Sequence, residues 1–123
     1  MSGRLLSSAA LLLTLALAGC GGKPTPAGVQ GDPARGRVAL AQHACRACHV
    51  IPGVTGSEVY VGRSLDDLGE RQYIGGKLPN TQANLVRWIR DPQSIDPHTE
   101  MPAVGVSERD ALDMSAYLLT LKN

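Results

Sequence analysis

Large aromatic side chains are scarce in this sequence. Its 123 residues include one tryptophan, three tyrosines and no phenylalanine. The length suits a single domain, since domains commonly run to about 100–200 residues. Aromatic residues normally supply much of the buried area of a small domain, and a small domain without them is marginally stable unless another group fills its centre. The composition therefore predicts a bound non-protein group in the core.

The sequence also lacks an excess of charge of either sign. Twelve lysine and arginine residues stand against eleven aspartate and glutamate residues, which gives a formal net charge of +1 at pH 7. This balance excludes the strongly basic surface expected of a nucleic-acid-binding protein. It also predicts weak long-range electrostatic steering of any partner.

The main apolar run lies at the N-terminus, where residues 5–18 follow the single charge of Arg4. It is too short to span a bilayer, which takes about 20 residues, and it has the charged and apolar regions of a signal peptide. The run ends in the tetrapeptide LAGC, which resembles the lipobox of bacterial lipoproteins. That resemblance implies a signal peptide over residues 1–19 and lipidation of Cys20, which would anchor the protein to a membrane on the periplasmic side of the cell envelope. An ordinary secretory signal is the alternative.

The lipobox is followed by a segment rich in glycine and proline. Residues 21–31 show no hydrophobic periodicity, which is typical of a flexible linker. The sequence thus predicts a lipidated cysteine and linker over residues 20–31 and a folded domain over residues 32–123. Fully extended, residues 21–31 would reach about 37 Å.

A C-x-x-C-H motif follows at Cys45-Arg46-Ala47-Cys48-His49. Two thiols separated by two residues suit the two thioether bonds of a covalently attached haem c. The next residue, His49, is then the proximal ligand of the iron. The motif predicts one haem c, attached through Cys45 and Cys48, and this haem is the group that the composition requires.

Three other chemistries use cysteines at this spacing. A thioredoxin-like redox pair belongs in a βαβ context, which the sequence does not show. A structural zinc ion needs four ligands, and only His43 and His98 remain to supplement the motif. A plain disulfide leaves His49 unexplained. Attachment of haem is the interpretation that uses every residue of the motif.

Residues 32–123 resemble a class I monohaem cytochrome c, through the C-x-x-C-H motif, the Met101-Pro102 pair and a final amphipathic helix. The resemblance implies an all-α fold of three main helices and loops wrapped around one covalent haem. It also implies a close crossing of the first and last helices, with Gly36 opposite Tyr117. Residues 84–102 are particularly similar to small cytochrome domains that serve haem-copper oxidases, some of them fused to an oxidase subunit.

The first helix is predicted to begin at Asp32 and Pro33, because aspartate is a favoured N-cap and proline suits the first helical position. It is predicted to lead directly into the haem motif and to stop at residues 51–53, whose sequence is Ile-Pro-Gly. Apolar residues at helical spacing are predicted to form its inward face: Ala34, Val38, Ala41 and Cys45.

Two further helices follow in the sequence. Asn80 or Thr81 is predicted to cap the second helix, which ends at Asp91 because a proline follows. Ser107 is predicted to cap the last helix as part of a capping box. A short helix is possible over residues 65–71.

Two methionines of the domain are candidates for the sixth iron ligand. Met114 lies in the apolar stripe of the last helix, where methionine usually fills the core. Met101 precedes a proline in a polar loop, where core packing explains it poorly, and it matches the family's methionine ligand. His98 is the alternative ligand, and its coordination would give a lower potential than methionine does.

The resemblance assigns roles to further residues near the haem. It implies that a main-chain carbonyl within residues 62–65 accepts a hydrogen bond from His49. The family has proline where this chain has Arg63, so a less rigid turn is expected there. The resemblance also places Trp88 and Tyr73 near the haem propionates.

Electron transfer is the function that these features predict, with no substrate turned over. Iron held by a histidine and a methionine has no open position for a small molecule. The resemblance implies a bc1-type reductase and a haem-copper oxidase as redox partners. A haem-based gas sensor or a small peroxidase is the alternative, and it requires the sixth ligand to be labile or absent. A subunit that carries haem structurally also stays open.

Overall fold

The computed structural model describes residues 23–123, so the predicted signal peptide and Cys20 lie outside the described residues. Three helices dominate the fold: α1 (Pro33–Gln42), α2 (Gln82–Arg90) and α3 (Glu108–Leu118). Single 3-10 turns lie at Cys45–Ala47, Leu68–Glu70 and Pro92–Ser94, and two short strands are β1 (Tyr73–Ile74) and β2 (Leu78–Pro79). The prediction of an all-α fold with three main helices is confirmed. Over residues 23–123, none of the helices has the length and apolar character needed to cross a membrane.

Each helix begins at a side-chain cap, as the sequence predicts. The carboxylate of Asp32 accepts hydrogen bonds from two main-chain N–H groups of the first turn of α1. Thr81 caps α2 and Ser107 caps α3, each through its hydroxyl oxygen and the N–H group three residues ahead. These bonds satisfy donors that the helix itself leaves without partners.

The predicted inward face of α1 is wrong in part, and its predicted end is wrong. Ala34 and Val38 are exposed, Val38 at 49%, whereas Ala41 and Cys45 are half-buried and pack against the core. The buried residues of the helix are Gly36, Ala39 and Leu40. The face of α1 that carries Gly36 lies inward because glycine permits the closest approach of this helix to α3. The helix also ends at Gln42 rather than running into the haem motif, since Ala44 takes a left-handed conformation with φ of 60°, which breaks the helical path.

Helices α1 and α3 cross at a point where no side chain separates them. A Cβ atom at Gly36 would collide with the main-chain carbonyl of Asp113. Gly36 thus contacts α3 at Asp113, one helical turn before Tyr117. The resemblance places Gly36 opposite Tyr117 itself. The Tyr117 hydroxyl instead reaches the loop after the haem motif and donates to the carbonyl of Pro52 at 2.5 Å.

A buried carboxylate seals this crossing. Asp113 is 3% exposed, and its Oδ1 accepts from the main-chain N–H of Asp32 at 2.7 Å. Arg35 donates to both carboxylate oxygens, from Nε at 2.7 Å and from Nη2 at 3.1 Å. The hydrogen bond from Arg35 holds the pKa of the Asp113 carboxyl below its ordinary value, although burial acts in the opposite direction.

A small hairpin stands beside α2 and was not predicted. Strands β1 and β2 are antiparallel, and Ile74 pairs with Leu78. Three residues join the strands, and the turn has positive φ at Gly75 and Gly76, a conformation that glycine adopts without strain. The indole ring of Trp88 lies against Gly75, where a side chain would meet it at 2.6 Å.

The last residues of the predicted linker are held by the domain. Gln82 of α2 accepts from the main-chain N–H of Gln30 at 2.9 Å and donates to its carbonyl at 2.6 Å. The same amide donates to the buried hydroxyl of Ser115 at 2.9 Å, and Val29 packs against the core. The chain is therefore already part of the domain at residue 29, three residues before the predicted boundary.

We expect Asp113→Asn to lower the free energy of unfolding at pH 7 by about 1–3 kcal/mol, because a buried charge-assisted hydrogen bond is lost. The pKa of Asp113 is lower in the folded protein than in the unfolded chain, where it is about 3.9. The stabilisation by the Asp113 carboxylate is thus complete at a pH above the unfolded pKa. It is lost as the pH falls through the pKa of Asp113 in the folded protein. Urea unfolding from pH 7 to pH 3 measures both effects.

The exposed Glu108 on the same helix provides the control. Glu108→Gln is expected to change the unfolding free energy by less than about 0.5 kcal/mol. A gap between wild type and Asp113→Asn that stayed constant down to pH 3 would contradict the assignment of this carboxylate.

Candidate functional site

The C-x-x-C-H motif forms a tight turn directly after α1. The carbonyl of Cys45 accepts from the N–H of Cys48 at 3.2 Å and from the N–H of His49 at 3.0 Å. Residues three and four apart on such a turn lie on the same side, so both thiols and the imidazole leave the backbone together. Cys45 and Cys48 are half-buried, and two thiols at this spacing suit the thioether bonds of a covalently attached haem.

The environment of Cys45 does not favour a reactive redox pair. Burial raises the pKa of the Cys45 thiol, and the neighbouring Cys48 acts in the same direction. A redox-active C-x-x-C pair has the opposite property, a lowered pKa that supplies thiolate. Over residues 23–123, no three His, Cys, Asp or Glu side chains are placed to hold a metal ion together.

His49 is oriented by a main-chain carbonyl. Its Nδ1 lies 2.7 Å from the carbonyl oxygen of Arg63, within residues 62–65, where the resemblance implies such an acceptor. A carbonyl oxygen only accepts, so Nδ1 carries the proton and the lone pair lies on Nε2. A histidine held in this way presents Nε2 to a metal in a fixed direction.

The turn that supplies this carbonyl is held by the main chain on both sides. The N–H of Gly62 donates to the carbonyl of Cys48 at 2.7 Å, and the N–H of Leu65 donates to the carbonyl of Val50 at 2.8 Å. The imidazole ring lies close to Gly62, where a Cβ atom would come within 2.7 Å of Nδ1. The less rigid turn expected from Arg63 is therefore offset by backbone bonds that do not depend on a proline.

Charged side chains continue from this turn into the interior. Asp67 pairs with Arg63 at 3.1 Å and also contacts Arg71. The hydrogen bond from Arg71 is the main cause of the lowered pKa of Asp67, with Arg63 acting in the same direction. Over residues 23–123, three buried side-chain atoms have no hydrogen-bond partner: Asp67 Oδ1, Arg71 Nε and Asn80 Oδ1. The Arg71 guanidinium is already paired with Asp67, and its Nε–H is the donor left for an anionic group such as a haem propionate.

The two aromatic residues assigned to the propionates differ in their surroundings. Trp88 is half-buried on α2 and packs against the core. Tyr73 lies on β1 with 58% of its surface exposed. The sequence reasoning missed two polar residues, Arg71, two positions before Tyr73, and Asn80, between Tyr73 and Trp88. Their spacing carries no motif that would have marked them.

The two candidate methionines are in different environments. Met114 is fully buried within α3, where it fills the core, as predicted. Met101 is half-buried in a loop, its N–H donates to Thr99 Oγ1 at 3.3 Å, and its carbonyl accepts from Gln93 Nε2 at 2.6 Å. The alternative ligand His98 is exposed. Gln93 is, after Arg71 and Asn80, a third residue that no sequence signal singles out.

Three solved structures share this fold. SoxXA from P. pantotrophus covers 81% of the chain with a TM-score of 0.60 at 22% identity. Cytochrome c2 from Rhodobacter sphaeroides covers 76% with a TM-score of 0.53, also at 22% identity. The chain matches 97% of cytochrome cH from Methylobacterium extorquens over 72% of its own length, with a TM-score of 0.54 and 29% identity. The chain has the cytochrome c fold and resembles class I monohaem cytochromes c in structure.

No protein-family model matches the chain. It is 40% identical over 89 residues to "Cytochrome c oxidase subunit 2" of Alkalihalophilus pseudofirmus, an alignment that covers 72% of the chain. It is 30% identical over 88 residues to the protein of the same name from a Bacillus species. The chain spans about a quarter of the length of these relatives, 25% in each case. The fold and the relatives support an electron-transfer haem protein of the cytochrome c kind.

Gly62→Ala is expected to lower the unfolding free energy of the haem-loaded protein by about 1–3 kcal/mol, because the added methyl group displaces the His49 ring. Arg63→Ala is the matched neighbour. It removes an exposed ion pair and leaves the carbonyl in place, so a change of less than about 1 kcal/mol is expected. Urea titration of both variants compares them, and an equal loss in the two would mean that the Arg63 side chain holds the turn.

Proposed function

We propose that this protein carries one electron on a haem c bound covalently through Cys45 and Cys48, with His49 and Met101 as axial ligands. When held by these residues, a haem would supply reversible one-electron chemistry at its iron. Acceptance of the Nδ1 proton of His49 by the Arg63 carbonyl is the observation that carries the proposal. It fixes the tautomer that leaves Nε2 as a ligand.

The surroundings of Met101 support its assignment as the second axial ligand. Its loop is polar and mostly exposed, so apolar packing does not explain a methionine there, whereas Met114 is explained by the core. Two protein ligands leave the iron no open position, which suits electron exchange and not the turnover of a small substrate. We therefore propose that the protein is not an enzyme.

The partners follow from the relatives. Both curated relatives are named as subunit 2 of cytochrome c oxidase, and this chain matches only a quarter of each. We propose that the domain passes electrons to a haem-copper oxidase, after receiving them from a bc1-type reductase. The near-neutral charge of the chain predicts that these encounters depend weakly on ionic strength.

We also propose that the protein is lipidated at Cys20 and held at a membrane on the periplasmic side of the cell envelope. Since the chain joins the domain at residue 29, a tether over residues 21–28 would reach at most about 27 Å. A tether of this length confines the domain to the membrane surface, where membrane-embedded partners present their donor and acceptor sites.

Met101→Ala is expected to keep the covalent haem, to lose the weak far-red methionine-to-iron absorption of the ferric form, and to bind carbon monoxide when reduced. Met114→Leu, a change of similar volume in the core, is the control and is expected to keep the band and to exclude carbon monoxide. Absorption spectra of both variants in each oxidation state make the test. Unchanged coordination in Met101→Ala would assign the ligand to His98 or to another residue.

Cys20→Ser tests the anchor in the full-length chain. We expect the wild type to fractionate with membranes and the variant to lose that association while keeping its haem spectrum. Stable anchoring requires more than one acyl chain. Mass spectrometry of the mature protein gives the mass of the modification and therefore the number of acyl chains on Cys20. A variant that stayed with the membrane would contradict the lipoprotein assignment.

A further inference from the structure

The loop that carries Met101 starts at a fixed point. Pro92 is fully buried, and it follows Asp91, whose carboxylate accepts from the N–H of Ser94 at 3.3 Å. The Ser94 hydroxyl donates back to the carbonyl of Asp91 at 2.8 Å. The 3-10 turn over Pro92–Ser94 is therefore anchored to the end of α2 by packing and by two side-chain bonds.

Beyond this turn the loop proceeds by local hydrogen bonds. The N–H of Asp96 donates to the carbonyl of Pro92 at 2.9 Å, and the N–H of Thr99 donates to the carbonyl of Asp96 at 3.1 Å. His98 is exposed and Met101 half-buried. Residues 96–100 and 102–105 are exposed or half-buried, and the chain rejoins the core at Val106.

The side chain of Gln93 closes this loop. Its Nε2 donates to the carbonyl oxygen of Met101 at 2.6 Å, across a separation of eight residues. Thr99 contributes a weaker contact within the loop itself, at 3.3 Å. Gln93 thus links the anchored turn directly to the residue at the far end.

We propose that Gln93 is a positioning residue that holds Met101 in place as the sixth ligand of the iron. The proposal rests on the proposed function, in which Met101 is that ligand. Gln93 does not touch the thioether. It acts by fixing the main chain from which the side chain extends, so that the closed, ligated form of the loop outweighs forms in which Met101 has left the iron.

An external ligand measures this balance. Imidazole competes with methionine for ferric iron, and its apparent affinity scales with the fraction of molecules whose sixth position is open. Loss of one hydrogen bond between uncharged groups shifts such a balance about three- to tenfold. Variants without the donor should therefore bind imidazole about three- to tenfold more tightly.

The experiment is a titration of the haem-loaded ferric protein with imidazole, followed by the far-red methionine band. Gln93→Leu removes the donor, and Gln93→Glu keeps the length but places a carboxylate, which accepts and does not donate, beside the carbonyl. Gln42→Leu is the control, because Gln42 is exposed at the end of α1 and its side chain makes no hydrogen bond over residues 23–123. Urea midpoints of all four proteins separate a local effect from a global one.

The expected result is a three- to tenfold gain in imidazole affinity for both Gln93 variants, with the control within twofold of wild type and the urea midpoints unchanged. Equal imidazole affinity in all four proteins would overturn the role of Gln93 while leaving methionine ligation intact. A gain in Gln93→Leu without one in Gln93→Glu would assign the effect to shape and also overturn it. A wild type without the far-red band would overturn the proposal together with the ligation of Met101.

Discussion

The close crossing of the first and last helices is the constraint on which the rest of the structure depends. Gly36 allows the main chain of α1 to meet the carbonyl of Asp113, because any larger residue would collide with it. The buried carboxylate of Asp113 then binds both Arg35 and the main chain at Asp32. The start of α1 is thereby fixed on α3, and the C-x-x-C-H turn at its other end is held at one distance and in one direction.

The two sides of the proposed haem site are held in different ways. On the His49 side, the Arg63 carbonyl comes from a turn that main-chain bonds tie down, and such bonds survive changes of side chain. On the Met101 side, the main link is the side-chain amide of Gln93. A side-chain substitution is therefore more able to displace Met101, the proposed sixth ligand, than His49, the proposed fifth ligand. An electron carrier and a ligand-binding haem protein of this fold would differ on the Met101 side and share the other.

The sequence predicts the parts of this fold that local chemistry decides. Caps such as Asp32 and Ser107 act within one turn, and the C-x-x-C-H motif is a local pattern. Sequence reasoning failed where tertiary contact decides: periodicity placed Val38 inside, but the crossing at Gly36 rotates that side of α1 outward. The bond from Gln93 to Met101 is not predictable either, since an exposed glutamine in a polar loop carries no signal of its distant acceptor.

The positions of the aromatic residues matter as well as their small number. Tyr60 is 79% exposed and Tyr73 is 58% exposed. Trp88 packs against a hairpin glycine, and Tyr117 extends to the loop at Pro52. The buried cluster is therefore aliphatic apart from Met114, and burial per residue is modest in a domain of this size. A planar haem held by two thioether bonds would add more apolar surface than any side chain here, so attachment of the cofactor and stability of the fold are coupled.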